Sequence, residues 1–174
     1  MNDPNWRLRD VPRLTVTSPD FADGEPLPQW ARAKAAGGED RTPALEWGDA
    51  PEGTRSFAVT AYDPDAPTQS GWWHWRLVNI PATVTSLAQG AGAPGSGLLP
   101  DGAVALTSES GVLGYEGSAP PPGHGPHRYF FIVHALDVER LDLDPDAKAG
   151  PFGFQLFLHT IARGQIVGTS ETPA

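Results

Sequence analysis

A mostly β domain with one short helix near its C-terminus is the fold class this sequence predicts, and three observations predict it. The 174 residues include 20 glycines and 19 prolines, just short of the ~25–30% share that marks aperiodic disordered chains. With six Trp, seven Phe and three Tyr inside a 39% hydrophobic composition, the chain can build a core. The Gly and Pro therefore read as many turns between short strands. Finally, strand-like patterns recur along the chain, whereas only one stretch carries a helical period. The chain reads as one domain, residues 1–174 with a core over about 14–170. A domain of that size buries about two thirds of the surface its unfolded chain exposes.

In order, residues 1–13 are polar, and "RLTVTSPDF" reads as a first strand because Leu14 and Val16 alternate with Thr15 and Thr17 before Pro19. Residues 22–54 read as loop and turns. In "RSFAVTAYD", Phe57, Val59 and Ala61 share one face and Ala58, Thr60 and Tyr62 the other. Both faces are largely apolar, which places this strand inside a sandwich. "WWHWRLVNI" is a strand ended by Pro81, "TSLAQGAGAPGSGLLPDGA" a flexible loop, and "GYEGSAPPPGHGPH" a Gly/Pro-rich loop feeding a third strand, "RYFFIVHALD". "PFGFQLFLHTIARG" is the helix: Pro151 suits its start, Phe154, Phe157, Leu158 and Ile161 its apolar stripe, and Gly164 its stop. "QIVGTS" reads as a short closing strand.

Charge excludes some functions. A net charge of −9, from 21 acids against 12 bases, argues against a nucleic-acid groove or an anionic membrane surface, both of which reward clustered Lys and Arg. There is no cysteine, so disulfide and thiolate chemistry are excluded. The N-terminal "MNDPNWRLRD" has no apolar signal region, and no run of ~18 apolar residues occurs. A cytoplasmic protein without membrane insertion is expected.

Chemistry concentrates in "YDPDAPTQSGWWHWRLVN". Asp63 and Asp65 lie two apart at the end of a strand, with Pro64 and Pro67 stiffening the exit. They read either as carboxylates on a pocket rim or as an ordinary Asp–Pro turn. His74, among indole rings, reads either as a core histidine satisfied by a backbone carbonyl or as a pocket group. His127 follows "SAPPPGHGPH", a loop with four prolines in ten residues, which loses little entropy when a ligand orders it. Gly117, Gly123 and Gly125 would let that backbone approach an anion, and Pro120 and Pro121 would form an apolar lip. Arg128 is a candidate partner for Asp63 or Asp65, which would make part of the cluster structural. "GAGAPG" has neither the helix nor the βαβ unit of a dinucleotide site. "LTSESG" is not a nucleophile elbow. No metal-ligand spacing occurs, and no cofactor is expected.

Together, "DPDAPT", "GWWHW" and "GSAPPPGHGPHRYFF" resemble the phosphatidylethanolamine-binding protein family (Raf kinase inhibitor protein-like). The flanking "DGEPLP", "GGEDRTPALEW" and "LVNIPATVTSL" are similar to its bacterial branch. The resemblance spans roughly residues 14–170. It implies a β-sandwich of two antiparallel sheets and a pocket for phosphate, phosphorylethanolamine, acetate or similar small anions. Carried over motif by motif, the pocket wall would comprise Asp63, Asp65, Pro67, Trp72, His74, Tyr115, Gly117, Pro120, Pro121, His127 and Tyr129, with His74 and His127 offering N–H donors. Two departures stand out: Ala119 where eukaryotic members usually have Gly, and a C-terminus, "GQIVGTSETPA", without the longer helical tail of mammalian members. Lipid specificity and kinase regulation are therefore not carried over.

The leading expectation is a non-catalytic binding protein for a small phosphorylated or carboxylate ligand, such as a phospholipid headgroup. Two alternatives stand beside it. One is a regulator of a protein kinase or protease. The other is an enzyme using His74 with Asp63 or Asp65 as acid–base groups. A homodimer through a sandwich face is compatible with the sequence.

Overall fold

The computed structural model describes residues 3–174. Its elements are β1 (Thr15–Thr17), β2 (Leu45–Gly48), β3 (Ser56–Asp63), β4 (Trp72–Pro81), β5 (Ser86–Leu87), β6 (Val104–Leu106), β7 (His127–Leu136), α1 (Ala149–His159) and β8 (Thr160–Ser170). They form two antiparallel sheets, one of three strands ordered β1-β2-β5 and one of five ordered β6-β4-β3-β7-β8. Among the described residues no helix is long and apolar enough to cross a membrane.

The doubly apolar pattern of β3 has the predicted cause. It is the middle strand of the large sheet, and both its faces are covered. Phe57, Val59 and Ala61 pack with Leu45, Trp47, Trp75, Leu77, Phe131 and Val133 between the sheets. Ala58 packs with Val78, Leu106, Leu136, Leu141, Phe152 and Leu156 on the side of α1.

The helix differs from its sequence reading at both its end and its face. It stops at His159, and the following residues are the first of an eleven-residue strand, not a helical turn. From Thr160 to Ser170 burial alternates strictly, and the strand pairs along β7 from His127↔Ser170 to Leu136↔Thr160. Gly164 is thus no helix stop. A Cβ there would lie 2.2 Å from the Leu14 carbonyl oxygen, so the glycine lets the chain before β1 cross β8, where Leu14 N–H donates to Arg163 O. The expected stripe faces outward: Phe154, Phe157 and Leu158 are exposed, while Phe152 and Leu156 are buried. Phe152 decides this rotation. Its ring stands edge-on to Trp73 at 5.6 Å and under the Arg76 guanidinium at 5.5 Å. Arg76, itself buried, donates to the carbonyls of Thr107 and Ala147, tying β4 to the segment that leads into α1.

Two short strands fall where loop is expected, and a third where no element is read. β2 lies inside 22–54, β5 inside the 85–103 stretch and β6 just after it. Each is four residues or fewer, too short for alternation to declare itself. The 85–103 segment is also better held than its composition implies. Gly90 N–H donates to Thr42 O, Gly92 N–H donates to Thr42 Oγ1, and Ala91 is fully buried.

Buried His134 on β7 sits with Nδ1 3.2 Å from Thr160 Oγ1. Burial, with the nearby Arg163 charge, pushes its pKa down to about 3. In the unfolded chain the ring titrates near 6.5. Its contribution is therefore fully present above pH ~6.5 and is lost as pH falls from there toward 3, at up to ~1.4 kcal/mol per pH unit. We expect urea unfolding of His134→Gln to show a shallower loss of stability than wild type between pH 6.5 and 4. Parallel profiles for the two proteins would exclude this ring as the source.

Candidate functional site

Strands β4, β3 and β7 are neighbours in the large sheet. The C-terminal end of β3 and the N-terminal ends of β4 and β7 therefore meet at one edge of the sandwich. Asp63 closes β3, Trp72 opens β4 with His74 two residues on, and His127 opens β7 with Tyr129 two residues on. A register shift between Ala61 and Tyr62 re-aims the end of β3. Over this end folds the 114–126 loop. It is fastened by Glu116 N–H to His74 O and by Ala33 N–H to Ser118 O, and by Gly117 N–H to Asp40 Oδ1 at 2.9 Å.

Between the strand ends and the loop lies a cavity of about 250 Å³. Nine residues of the sequence-derived wall line it: Asp63, Pro67, Trp72, His74, Gly117, Pro120, Pro121, His127 and Tyr129. Ala66, Thr68, Glu116 and Ala119 complete the lining. A somewhat larger hollow, about 310 Å³, lies between the N-terminal segment and β8. It holds no histidine, and its Arg13 and Arg163 face Asp3 and Asp10 in a mixed polar lining.

Two expected wall residues lie elsewhere, each for a plain reason. Asp65 is turned into a bidentate pair with Arg128, Nε to Oδ2 and Nη2 to Oδ1 both at 2.7 Å, and it also accepts the Arg128 backbone N–H at 3.0 Å. Those hydrogen bonds hold its carboxyl below the usual carboxylate range against an opposing effect of burial. Tyr115 is buried in the inter-sheet core, its hydroxyl donating to Ala31 O at 2.9 Å.

Asp63 is 2% exposed, and three donors hold it. Oδ1 accepts the backbone N–H groups of Asp65 at 2.7 Å and Ala66 at 3.0 Å, and Oδ2 lies 2.7 Å from His127 Nδ1. Asp63 thus caps the turn through Oδ1 and also lines the cavity. The other nitrogen of His127 is engaged too, since Nε2 stands 2.7 Å from His124 Nδ1. The expectation that His127 offers a ligand an N–H is therefore corrected: both its nitrogens are spent in an Asp63–His127–His124 chain.

His74 is also partly spent. Nδ1 stands 2.9 Å from the Glu116 carbonyl oxygen, an acceptor, so Nδ1 carries the proton and Nε2 is the nitrogen left for a ligand. Burial lowers the pKa of this ring, with the Glu116 carbonyl as the leading opposing influence. Beside it, edge-on at 5.1 Å, lies the ring of Tyr129. The Tyr129 hydroxyl is fully buried, with the Asp63 carboxylate beside it. Burial, then the Asp63 charge, pushes its ionisation up, so it remains a neutral donor.

The loop glycines play another part than expected. A Cβ on Gly117 would meet the Arg32 and Ala33 backbone at 2.3 Å, so it is needed for loop packing, and its N–H is already given to Asp40. Gly123 N–H donates to Thr172 O. Neither amide is free for an anion. His124 and Glu116 went unread in the sequence. The signal for His124 was its three-residue spacing from His127 across Gly125-Pro126. Glu116 gave none, because its position depends on how the loop closes.

Replacing Asp63 by Asn keeps an oxygen for the two turn amides but sets an NH₂ against His127 Nδ1–H. We expect Asp63→Asn to lose on the order of 1–3 kcal/mol in urea unfolding, the cost of one buried unsatisfied pair. The partly exposed Asp65→Asn is expected to lose less. Equal losses, or none for Asp63→Asn, would contradict the central role given to this carboxylate.

Comparison with known proteins agrees with this architecture. The phosphatidylethanolamine-binding protein family model matches residues 17–171. The UPF0098 protein YbhB of Escherichia coli is 46% identical over 155 residues, covering 88% of this chain and 97% of that protein. The UPF0098 protein YbcL of the same organism is 44% identical over 158 residues, 90% of this chain and 86% of that one. The crystal structure of YbcL, described as a member of the mammalian PEBP family, superposes with a TM-score of 0.88 over 91% of this chain and 98% of that chain, at 43% identity. With the fold, the strand-end cavity and these matches in agreement, the chain belongs to the phosphatidylethanolamine-binding protein family.

Proposed function

We propose that this protein is a non-catalytic, cytoplasmic binding protein for a small anion, a phosphate headgroup or a carboxylate. The observation that carries the reading is the strand-end cavity, which brings His74, Trp72 and Tyr129 together under the Pro120–Pro121 lip. The volume, about 250 Å³, is below the usual range for drug-sized ligands and suits a headgroup. Pro120 and Pro121 line its loop side, so the wall changes little when filled. The cavity supplies acid–base groups but no activated nucleophile, since Ser108 and Ser110 bond to each other away from it.

Calorimetric titration with phosphorylethanolamine, and with ethanolamine as control, tests this reading. Binding is expected for the phosphorylated compound only, and His74→Ala, which removes the ring from the cavity wall, is expected to weaken it ~10-fold or more, as for a hydrogen bond to a charged group. Absence of binding to wild type, or an unchanged affinity in His74→Ala, would defeat the proposal.

A further inference from the structure

We infer that His124 is an acyl-accepting residue. Its Nε2 is a nucleophile activated by the buried Asp63–His127 pair, and it takes an acyl group from a small, uncharged, activated acyl donor. His124 lies outside the lining of the strand-end cavity, so the inference goes beyond the anion-binding reading and does not depend on it.

Protons along this chain are placed in order from its buried end. Asp63 Oδ1 takes the Asp65 and Ala66 amides, and Oδ2 faces His127 Nδ1 at 2.7 Å. A carboxylate oxygen only accepts, so His127 Nδ1 carries a proton. In the neutral ring His127 Nε2 then has a lone pair, and it stands 2.7 Å from His124 Nδ1. That contact needs a donor. His124 Nδ1 therefore carries the second proton, and His124 Nε2 is left with a lone pair. His127 is 2% exposed, whereas His124 is exposed and bonds within the described residues through Nδ1 alone. A buried carboxylate, a buried imidazole and an exposed nucleophilic atom follow one another, which is the order in which an oriented base activates a nucleophile.

The loop holds the His124 ring to this task. Gly123 and Gly125 on either side have left-handed backbone, φ 71° and 89°, a region open chiefly to glycine, and His124 N–H donates to Pro121 O at 3.1 Å. The step balances without a further reactant. Nε2 attacks the carbonyl carbon, a C–N bond forms as the bond to the leaving group breaks, and the leaving group departs as its anion. The Nδ1 proton passes to His127 Nε2, so His124 ends as a neutral acyl-imidazole and the positive charge rests on His127 against Asp63. The donor class follows from the surroundings. Beside Asp63 and Glu116, the C-terminal Ala174 brings its carboxylate close to Gly123, and Arg128 is committed to Asp65. An anionic donor is repelled there, while the prolines and glycines flanking His124 admit a small uncharged one. The chain also carries its own reference. Of its five histidines, His74, His127 and His134 are buried. His159, partly exposed, has Nδ1 2.9 Å from Asp137 Oδ1, but that carboxylate stands in water with no imidazole between.

Diethyl pyrocarbonate, a small uncharged acyl donor, is the first probe. It is applied to the full chain at pH ~8, where a free imidazole is already neutral, and peptide mass spectrometry gives the rate at each histidine. His124 is expected to react ~10-fold or more faster than N-acetylhistidine amide, below the ~10²-fold of a positioned base in an enclosed site because His124 is open to water. His159 is expected to stay close to the model compound. In denaturing urea, and in His127→Gln checked for folding by urea unfolding, His124 is expected to fall to the model-compound rate. A hydrogen bond that only braces the loop would leave His124 at or below that rate in the folded wild type. His124 no faster than the model compound, or a fast rate that survives urea or His127→Gln, would overturn the inference. With p-nitrophenyl acetate and its carboxylated analogue, acylation lost in His124→Gln is expected to favour the uncharged ester by more than free imidazole does. An equal preference would overturn the donor class. Phosphorylethanolamine binding is read separately, so failure of either proposal leaves the other standing.

Discussion

The buried carboxylate of Asp63 is the constraint on which the rest of the site depends. It ends the central strand of the large sheet, where a chain emerging from the core would otherwise be free to leave in several directions. By accepting from two consecutive backbone amides it fixes the turn, and by meeting His127 it ties that turn to the first residue of β7. A charge so deeply buried is tolerated only because its hydrogen-bonding capacity is met. The consequence is rigidity: strand ends that would fray are locked into one wall, and the prolines that follow keep it there.

The opposite wall is built by a different device. The 114–126 loop has no regular structure of its own, yet it is anchored from behind at several points. Asp40 takes the Gly117 amide, Ala33 donates to Ser118 O and Gly123 donates to Thr172 O. Arg32 supports it indirectly, since its backbone packs against Gly117 while its guanidinium gathers the C-terminal residues. Turns near residues 32–40, the loop and the C-terminus thus converge beside the cavity from three distant parts of the sequence. The outcome is a cavity lined by the polar residues His74, Asp63 and Glu116, while the amides of Gly117 and Gly123 are occupied by protein.

That arrangement bears on what the family resemblance can and cannot carry. It led to nine wall residues that do share one cavity, because the motif residues sit at strand ends whose pairing the fold preserves. It misled for Asp65 and Tyr115. In sequence Asp63 and Asp65 look equivalent, and only the position of Arg128 on the adjoining strand separates them. Similarly, a histidine in a motif looks like a donor until its partners are known. His127 is bonded at both nitrogens, and His74 is left with the nitrogen that accepts.

By itself the sequence determined the strands that are long and apolar enough to show a period: β3, β4 and β7, the doubly buried character of β3, and the motif residues at their ends. These depend on local side-chain chemistry, which is written in the order of residues. It did not determine β2, β5 and β6, whose few residues form strands only because a neighbour supplies the ladder. Nor did it determine the limit of α1. A stretch with helical spacing from 154 to 161 becomes strand at Thr160 because β7 offers a full-length edge to pair with. The same holds for the state of the site. Which carboxylate faces the cavity, which histidine nitrogen carries a proton and whether a charge stays unpaired are decided by contacts between residues dozens of positions apart, and those contacts exist only once the sandwich has closed.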